Sequence, residues 1–232
     1  MMDLIKLRVK VNHSLREILV SPAFARIHSH ICADGYIQKT KSKRSEKELL
    51  DHPRKNLIRN RFYVRYVNTE QILTEQFIRD VREVFGRKVV EVKGYEYAIC
   101  GKWIYDILKD NGALRSKEWF IPDIILKSSH PIRIEWLKSF FDDESHVEKA
   151  KKRIVLNMVN KPGLIQVQRL LNELGIRSTL NGPYRCRQYY SYHLNIYRDS
   201  IVRYYNIVGF NHPKKKMDLS EIVSKMGTLG LS

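Results

Sequence analysis

The feature that most constrains the fold is an internal repetition, because one helix-start signal occurs twice in the 232 residues. A serine followed within two positions by a proline, an order favoured at helix N-termini, occupies residues 21–22 and again residues 129–131. An apolar segment follows each signal and leads to an acidic residue, Asp34 in the first copy and Glu144 in the second. The two acids are roughly 110 positions apart, a spacing that suits one small domain per copy.

Alternating patterns after each predicted helix indicate half-buried strands. Residues 59–66 alternate basic with apolar or aromatic side chains, and residues 153–158 and 190–196 show the same period of two. Amphipathic helical patterns lie between the strand pairs and after them. Each half is therefore predicted to run helix, strand, strand, helix, strand, strand, helix.

The net charge limits the partners of such a chain. Lysine and arginine exceed aspartate and glutamate by 17, with a surplus of 9 up to residue 128 and 8 beyond it. A surplus shared by both halves is expected if both contact one extended polyanion, and the commonest cellular polyanions are DNA and RNA.

Other classes of protein are not expected. No window approaches roughly 18 uncharged apolar residues, and the N-terminus has no signal-peptide pattern, so neither a membrane span nor secretion is predicted. Three scattered cysteines are too few for a disulfide scaffold or a zinc site. We expect a cytoplasmic, nucleoid-associated protein.

Three segments resemble the LAGLIDADG homing endonuclease family. FARIHSHICADGYI at residues 24–37 is similar to the first signature helix in archaeal members, WLKSFFDDESHV at residues 136–147 to the second, and VGFNHPKKK at residues 208–216 to the end of the second repeat. The resemblance implies an α+β fold of two pseudo-symmetric αββαββα repeats. Their signature helices pack together, and their antiparallel sheets form DNA-binding saddles. We expect the first repeat at residues 21–125 and the second at residues 126–232, with residues 1–20, ahead of the resemblance, forming an N-terminal arm.

The resemblance also implies a metal site. The eighth positions of the two signatures, which are the metal-binding acids of the family, fall on Asp34 and Glu144. Ala33 and Asp143, directly before them, are included in the implied site. Mg²⁺ is the expected cofactor; Mn²⁺ is expected to substitute, and Ca²⁺ to bind without supporting cleavage.

A physical argument also favours a cation here, because two acids at helix C-termini face unfavourable helix dipoles and each other's charge. The alternative is that Asp34 forms a turn with Gly35 and that Glu144 is a solvated acid at a helix end.

Family members also place a basic residue near each active site. Lys102 and Arg198 hold matching places, each where the last strand of a repeat meets its last helix. The alternative for both is a solvated side chain. His28 and His30, within the first signature helix, are expected to be buried and hydrogen-bonded rather than zinc ligands.

Two positions depart from the family pattern. The family has small residues at the third and seventh signature positions, where Ser29, Ala33 and Ser139 fit but Asp143 does not. The final glycine of the second signature is replaced by Ser145. Both departures call the packing of the two helices into question.

Polar strand faces are predicted to contact DNA, because a two-stranded ribbon fits the major groove and arginine, asparagine and glutamine pair with base edges there. The candidates in the first repeat are Gln38, Thr40, Arg59, Arg61, Tyr63 and Arg65. The candidates in the second repeat are Asn157, Arg185, Arg187, Ser191, His193 and Asn195.

The resulting prediction is a monomeric, site-specific endonuclease for double-stranded DNA that acts in intron homing. It uses a divalent metal and leaves 3′ overhangs, with no obligate protein partner and no membrane association. Two alternatives remain open: an intron RNA maturase, and a catalytically inactive DNA-binding regulator of the same fold.

Overall fold

The computed structural model describes residues 6–11, 14–50, 56–186 and 188–227. The strands in this part of the chain are β1 (Lys6–Val11), β2 (Ser14–Leu19), β3 (Gly35–Lys43), β4 (Ile58–Val67), β5 (Val90–Lys93), β6 (Glu96–Cys100), β7 (Ser145–Glu148), β8 (Arg153–Met158), β9 (Ser178–Cys186) and β10 (Tyr189–Tyr197). The helices are α1 (Pro22–Cys32), α2 (Glu46–Leu50), α3 (Gln71–Phe85), α4 (Lys102–Asp110), α5 (Asp123–Leu126), α6 (His130–Glu144), α7 (Lys161–Glu173), α8 (Asp199–Ile207) and α9 (Pro213–Gly227).

The predicted repetition is present, and the fold class is confirmed as α+β. Helices α1, α3 and α4 alternate with strand pairs β3–β4 and β5–β6, and α6, α7 and α8 alternate with β7–β8 and β9–β10. Each repeat forms a four-stranded antiparallel sheet, with strand order β3-β4-β6-β5 in the first and β7-β8-β10-β9 in the second. The two orders are the same once equivalent strands are matched.

Local sequence explains where the signature helices begin. The Ser21 side chain caps α1 by accepting a hydrogen bond from the Phe24 amide at 3.2 Å, and Pro22 occupies the first turn. Helix α6 also carries a proline in its first turn but has no side-chain cap from Ser129. Helix α7 ends just before Gly175, which has a φ of +71°, a conformation that favours glycine after a helix.

Helices α1 and α6 pack against each other in the middle of the molecule. An ion-pair cluster joins them to α3: the Arg26 guanidinium donates to both carboxylate oxygens of Asp80 at 2.7 Å and to Glu135 at 2.8 Å. Because all three side chains are largely buried, this contact fixes the two repeats relative to each other.

Five elements of the described ranges lie outside the repeat pattern. Strands β1 and β2 form an antiparallel hairpin before the first repeat, where the sequence predicts an arm, and α2 lies in the β3–β4 connection. Helix α5 lies between the repeats, and α9 follows the second. No helix in the described ranges is long and apolar enough to cross a membrane.

Candidate active site

The two signature acids occupy equivalent places in their repeats. Asp34 lies two residues beyond the end of α1, and Glu144 is the last residue of α6. Directly after them, Gly35 and Ser145 begin the first strand of each sheet and pair with the neighbouring strands β4 and β8. The two acids therefore sit at the same helix-to-strand turn, and the packing of α1 against α6 brings the turns together.

The two signature turns have different surroundings, which explains why one carries glycine and the other serine. A Cβ at Gly35 would lie 2.6 Å from the Ile31 Cα and 2.7 Å from the Arg65 carbonyl oxygen, so only glycine fits without a backbone shift. At the second turn, the Ser145 hydroxyl donates to the Phe141 carbonyl at 2.6 Å. The serine thus satisfies a carbonyl in the last turn of α6.

The other departure, Asp143, is bound by donors from the first repeat. Its carboxylate accepts hydrogen bonds from His30 Nδ1 at 2.7 Å, the Tyr66 hydroxyl at 2.9 Å and Asn68 Nδ2 at 3.1 Å. Burial lowers the pKa of His30, but Asp143, together with the charges of Asp142 and Asp80, raises it above its ordinary value. A larger side chain is accommodated here because these partners satisfy it.

Small and polar residues line the contact between α1 and α6. The Ser29 hydroxyl donates to the Trp136 carbonyl at 2.8 Å, and Ser139 is fully buried. His28 accepts from the Trp136 indole at 3.0 Å and donates through Nε2 to the Asn111 carbonyl at 2.7 Å, and burial lowers its pKa to about 4. The prediction that His28 and His30 are buried and hydrogen-bonded is confirmed.

Burial and like charge perturb both signature acids. Burial raises the pKa of Asp34 to about 6, with a further contribution from Asp143. Burial raises the pKa of Glu144 to about 7, and the charges of Asp34 and Asp143 add to the effect. Strong perturbation of paired acids at one place is typical of functional sites.

A cation that the sequence reasoning missed lies among these groups. The Lys215 ammonium donates to the carbonyl oxygens of Phe141, Asp142 and Asp143, the first and last at 3.2 Å. A signal for it exists in the sequence, because Leu219 and Ile222 follow it at helical spacing and are buried. That spacing places Lys215, unlike its neighbours in the lysine run, on the inner face of α9.

The donors present fit a divalent metal. Asp34 and Glu144 supply carboxylate oxygens, the ligand type that Mg²⁺ prefers, and two carboxylates with phosphate and water suffice for it. Within the described ranges no group of three or more His, Cys, Asp and Glu side chains has metal-ligand spacing. A cleft of about 590 Å³, open beside Asp34, is lined by Asn68, Asp143 and Lys215 among others.

The two basic candidates lie elsewhere. Lys102 is exposed at the start of α4 and donates to Asp106 at 2.5 Å. Arg198, with a φ of +51°, lines a cleft of about 950 Å³ at the ends of β9 and β10, beside Arg177. Neither contributes to the pKa shifts of Asp34 and Glu144, to which Lys215 does contribute.

The candidates of the first sheet share one face. Strand register places each β3 residue directly opposite a β4 residue, which puts both side chains on the same side of the sheet. The aligned pairs are Gln38 with Tyr63, Thr40 with Arg61, and Ser42 with Arg59. The opposite face carries the buried residues Val64 and Tyr66.

Arg65 is on the same face but is bound within it. Its guanidinium donates to Glu96, which also accepts from the Tyr36 hydroxyl at 2.8 Å, and it stacks 5.0 Å from the centre of the Tyr63 ring. The pattern of alternating residues does not reveal this pairing, because Glu96 is 31 positions away on β6. Arg65 therefore helps to position the neighbouring side chains of this face, Glu96 and Tyr63.

The DNA-binding candidates of the second sheet do not all lie exposed on one face. Asn157 is directly opposite His193, and Ser191 is two residues before that histidine on the same strand. Asn195 is only 2% exposed, and its side chain accepts from Arg153 and donates to a carbonyl. Its expected exposure on the sheet surface is therefore wrong.

The hairpin tip requires a second correction. Arg185 pairs with Tyr190, which alternates with Ser191, so Arg185 lies on the opposite face from Ser191. Arg187 lies outside the described residues.

Comparison with known proteins agrees with this architecture. Residues 131–209 match the family model described as LAGLIDADG-like domain. This segment includes most of α6, with Glu144, and extends to the end of α8.

Solved structures extend the similarity to both repeats. A structure from a study of mesophilic variants of the homing endonuclease I-DmoI has a TM-score of 0.61 and 21% identity, covering 87% of this chain and 98% of that one. I-DmoI in complex with DNA and Mn has a TM-score of 0.56 and 22% identity, covering 82% of this chain and 97% of that one. Full-length DUF199/WhiA from Thermatoga maritima has a TM-score of 0.51 and 11% identity, covering 88% of this chain and 61% of that one.

These matches agree with the equivalent signature turns and the matching sheet orders. Residues 131–209 match the LAGLIDADG-like domain model, and the chain as a whole has the two-repeat LAGLIDADG fold of these structures.

Proposed function

We propose that this protein is a site-specific endonuclease that cuts both strands of DNA with a divalent metal. The observation that supports this most directly is the pair of carboxylates, Asp34 and Glu144, at equivalent turns of two packed helices. Their raised pKa values show that their ionised forms are poorly stabilised by the protein alone. A bound cation favours those ionised forms.

Each residue at the site has a role in the proposed reaction. Asp34 and Glu144 hold the metal, and Asn68 orients Asp34 by donating to its carboxylate at 3.3 Å. When bound, a divalent metal supplies charge neutralisation at the attacking and leaving oxygens of the phosphodiester. Asp143 acts beside them as a buried acceptor that links the second signature turn to His30 of the first repeat.

The polar faces of the two sheets supply DNA binding in this proposal. Gln38, Thr40, Arg59, Arg61 and Tyr63 contact one half of the target. Asn157, Ser191 and His193 contact the other half. Hydrogen bonds to base edges give sequence selectivity, and arginine contacts to phosphates give register and affinity.

The proposal has further parts, of which the monomeric state follows from having both repeats in one chain. The protein acts as a monomer on double-stranded DNA, with its repeats at residues 21–125 and 126–232 behind an arm at residues 1–20. Mg²⁺ is the working metal, cleavage leaves 3′ overhangs, and the biological role is intron homing at the nucleoid. I-DmoI, to which the chain is similar, has been crystallised in complex with DNA and Mn and with DNA and Ca.

The test is cleavage of a randomised duplex library in Mg²⁺, in Ca²⁺, and with an Asp34→Asn, Glu144→Gln double variant. The matched control is a Glu83→Gln, Asp110→Asn double variant, which removes two exposed acids from helices α3 and α4. We expect Mg²⁺-dependent double-strand cuts at one long sequence in the wild-type and control proteins, and none in the double variant of the signature acids.

Two other outcomes would overturn the endonuclease proposal. Selective binding to a duplex in Ca²⁺ without cutting in Mg²⁺ would identify a DNA-binding regulator. Binding to structured RNA that survives loss of both acids, without selective binding to DNA, would identify a maturase.

A further inference from the structure

The run Lys214–Lys216 contains one lysine that differs from its neighbours. Lys214 and Lys216 are exposed, whereas Lys215 turns inward and reaches the last turn of α6. Its ammonium donates to three successive carbonyls, those of Phe141, Asp142 and Asp143. Carbonyls at the end of a helix lack a partner within the helix, and the ammonium supplies a donor to those of Asp142 and Asp143, whereas the Phe141 carbonyl also accepts from Ser145.

The same ammonium lies among four acids. It lines one cleft together with Asp34, Asp142 and Asp143, and Glu144 directly follows the three carbonyls that it binds. We call these four acids the carboxylate cluster. Asp142 is also held by backbone amides of the segment that leads into α9, accepting from Asn211 and from His212 at 2.9 Å. The segment that carries Lys215 is thereby tied to the second signature turn through contacts on both sides.

We propose that Lys215 is the built-in counter-cation of the carboxylate cluster, holding the two signature turns together when no divalent metal is bound. Four acids converge where two helix dipoles are also negative, and a folded chain without metal needs a positive charge at that place. Lys215 is a positioning residue in this scheme, since it acts on the acids rather than on the DNA. The inference rests on the proposed metal site.

The test measures thermal unfolding in EDTA, which needs no nuclease activity. Lys215→Gln keeps a donor for the carbonyls but removes the charge, and Lys214→Gln and Lys216→Gln are matched controls. We expect Lys215→Gln to lower the Tm, and to lower it by about 2–4 °C less when Glu144→Gln is already present. The two controls are expected to behave alike in both backgrounds.

Calcium supplies a second measurement. Because a divalent cation replaces the missing charge, CaCl₂ is expected to raise the Tm of Lys215→Gln more than that of the wild-type protein. Equal Tm losses in both backgrounds, with an unchanged calcium response, would show that Lys215 only caps the helix and would overturn the proposal.

The test still decides the role of Lys215 if the Lys215→Gln variant does not fold. If Lys215→Gln is unfolded in EDTA, the counter-cation role requires that adding Glu144→Gln or CaCl₂ restores folding, and continued unfolding in both cases would contradict it. A wild-type protein that shows no calcium response would overturn the metal site, while the comparison in EDTA would still decide the role of Lys215.

Discussion

A carboxylate at the C-terminal end of a helix lies where the helix dipole is negative, and Asp34 and Glu144 share this position. Glu144 is half-buried, and Asp34 faces the open cleft. The charge of Asp143 raises the pKa of both acids, and the charge of Asp34 raises that of Glu144 further. Such side chains reduce the stability of the folded protein at neutral pH. The proposed binding of a divalent metal would account for their presence.

The residue-scale prediction concerns the stability of the metal-free protein. A raised folded-state pKa means that the folded form holds a proton longer than the unfolded form, so stability from these acids is lost as pH rises from about 4 through 7. The Asp34→Asn, Glu144→Gln variant lacks these two titrating groups. Because solvent screens the exposed Asp34 and reduces its share, we expect the variant to be more stable than wild-type by only about 1–3 kcal/mol at pH 8, and by less at pH 5.

Chemical denaturation in EDTA at several pH values measures this difference. Saturating CaCl₂ is expected to stabilise the wild-type protein and to leave the double variant almost unchanged. A variant that is less stable than wild-type at pH 8 would mean that the acids stabilise the fold as ordinary hydrogen-bonding groups.

At the scale of single elements, the two signature turns both connect a helix to a strand but do so with different residues. Gly35 leaves room for the backbones of α1 and β4, while Ser145 fills its place and caps α6. The turns are therefore equivalent in position but not interchangeable in sequence.

The element-scale prediction is that Gly35→Ala is destabilising by about 1–3 kcal/mol, because its Cβ would overlap backbone atoms that cannot rotate away. Ser145→Gly is expected to cost about 1 kcal/mol, through the lost hydrogen bond. Gly94→Ala is the control, because a Cβ added at Gly94 would have no neighbouring atom within 4 Å. Urea unfolding of the three variants ranks them, and equal effects at Gly35 and Gly94 would refute the steric explanation.

Local signals predicted the elements well. The last helix predicted for the first half is α4 (Lys102–Asp110), and the proline-containing starts of α1 and α6 are where the sequence places them. These features depend on neighbouring residues and on apolar periodicity, both of which can be read along the chain.

The interior of the site could not be predicted in the same way. Asp143 is held by His30, Tyr66 and Asn68, which are 75 to 113 positions away. Nothing local distinguishes these donors from ordinary core or loop residues. Lys215 is the exception, because its spacing from buried Leu219 shows which face of α9 it occupies.

At the scale of the whole molecule, the two polar sheet faces differ in charge. The face of the first sheet carries Arg59 and Arg61 beside neutral polar residues. The corresponding face of the second sheet presents Asn157 and His193, directly opposite each other. The repeats share a fold but present different chemistry to a partner.

This difference predicts different salt dependence for variants of the two repeats. Each arginine that neutralises a phosphate releases about one counterion, so Arg59→Gln with Arg61→Gln is expected to weaken DNA binding and to lower the slope of log K against log salt by about 2. Asn157→Ala with His193→Ala is expected to weaken binding by about 1–3 kcal/mol at an unchanged slope, because neutral side chains recognise base edges without displacing ions. Fluorescence anisotropy in CaCl₂ at several salt concentrations measures the affinity and the salt slope, with the duplex sequence identified from the randomised library as the target. If the second pair changes the slope as much as the first, both repeats hold DNA mainly through its phosphates, and the sequence selectivity assigned to the second sheet is wrong.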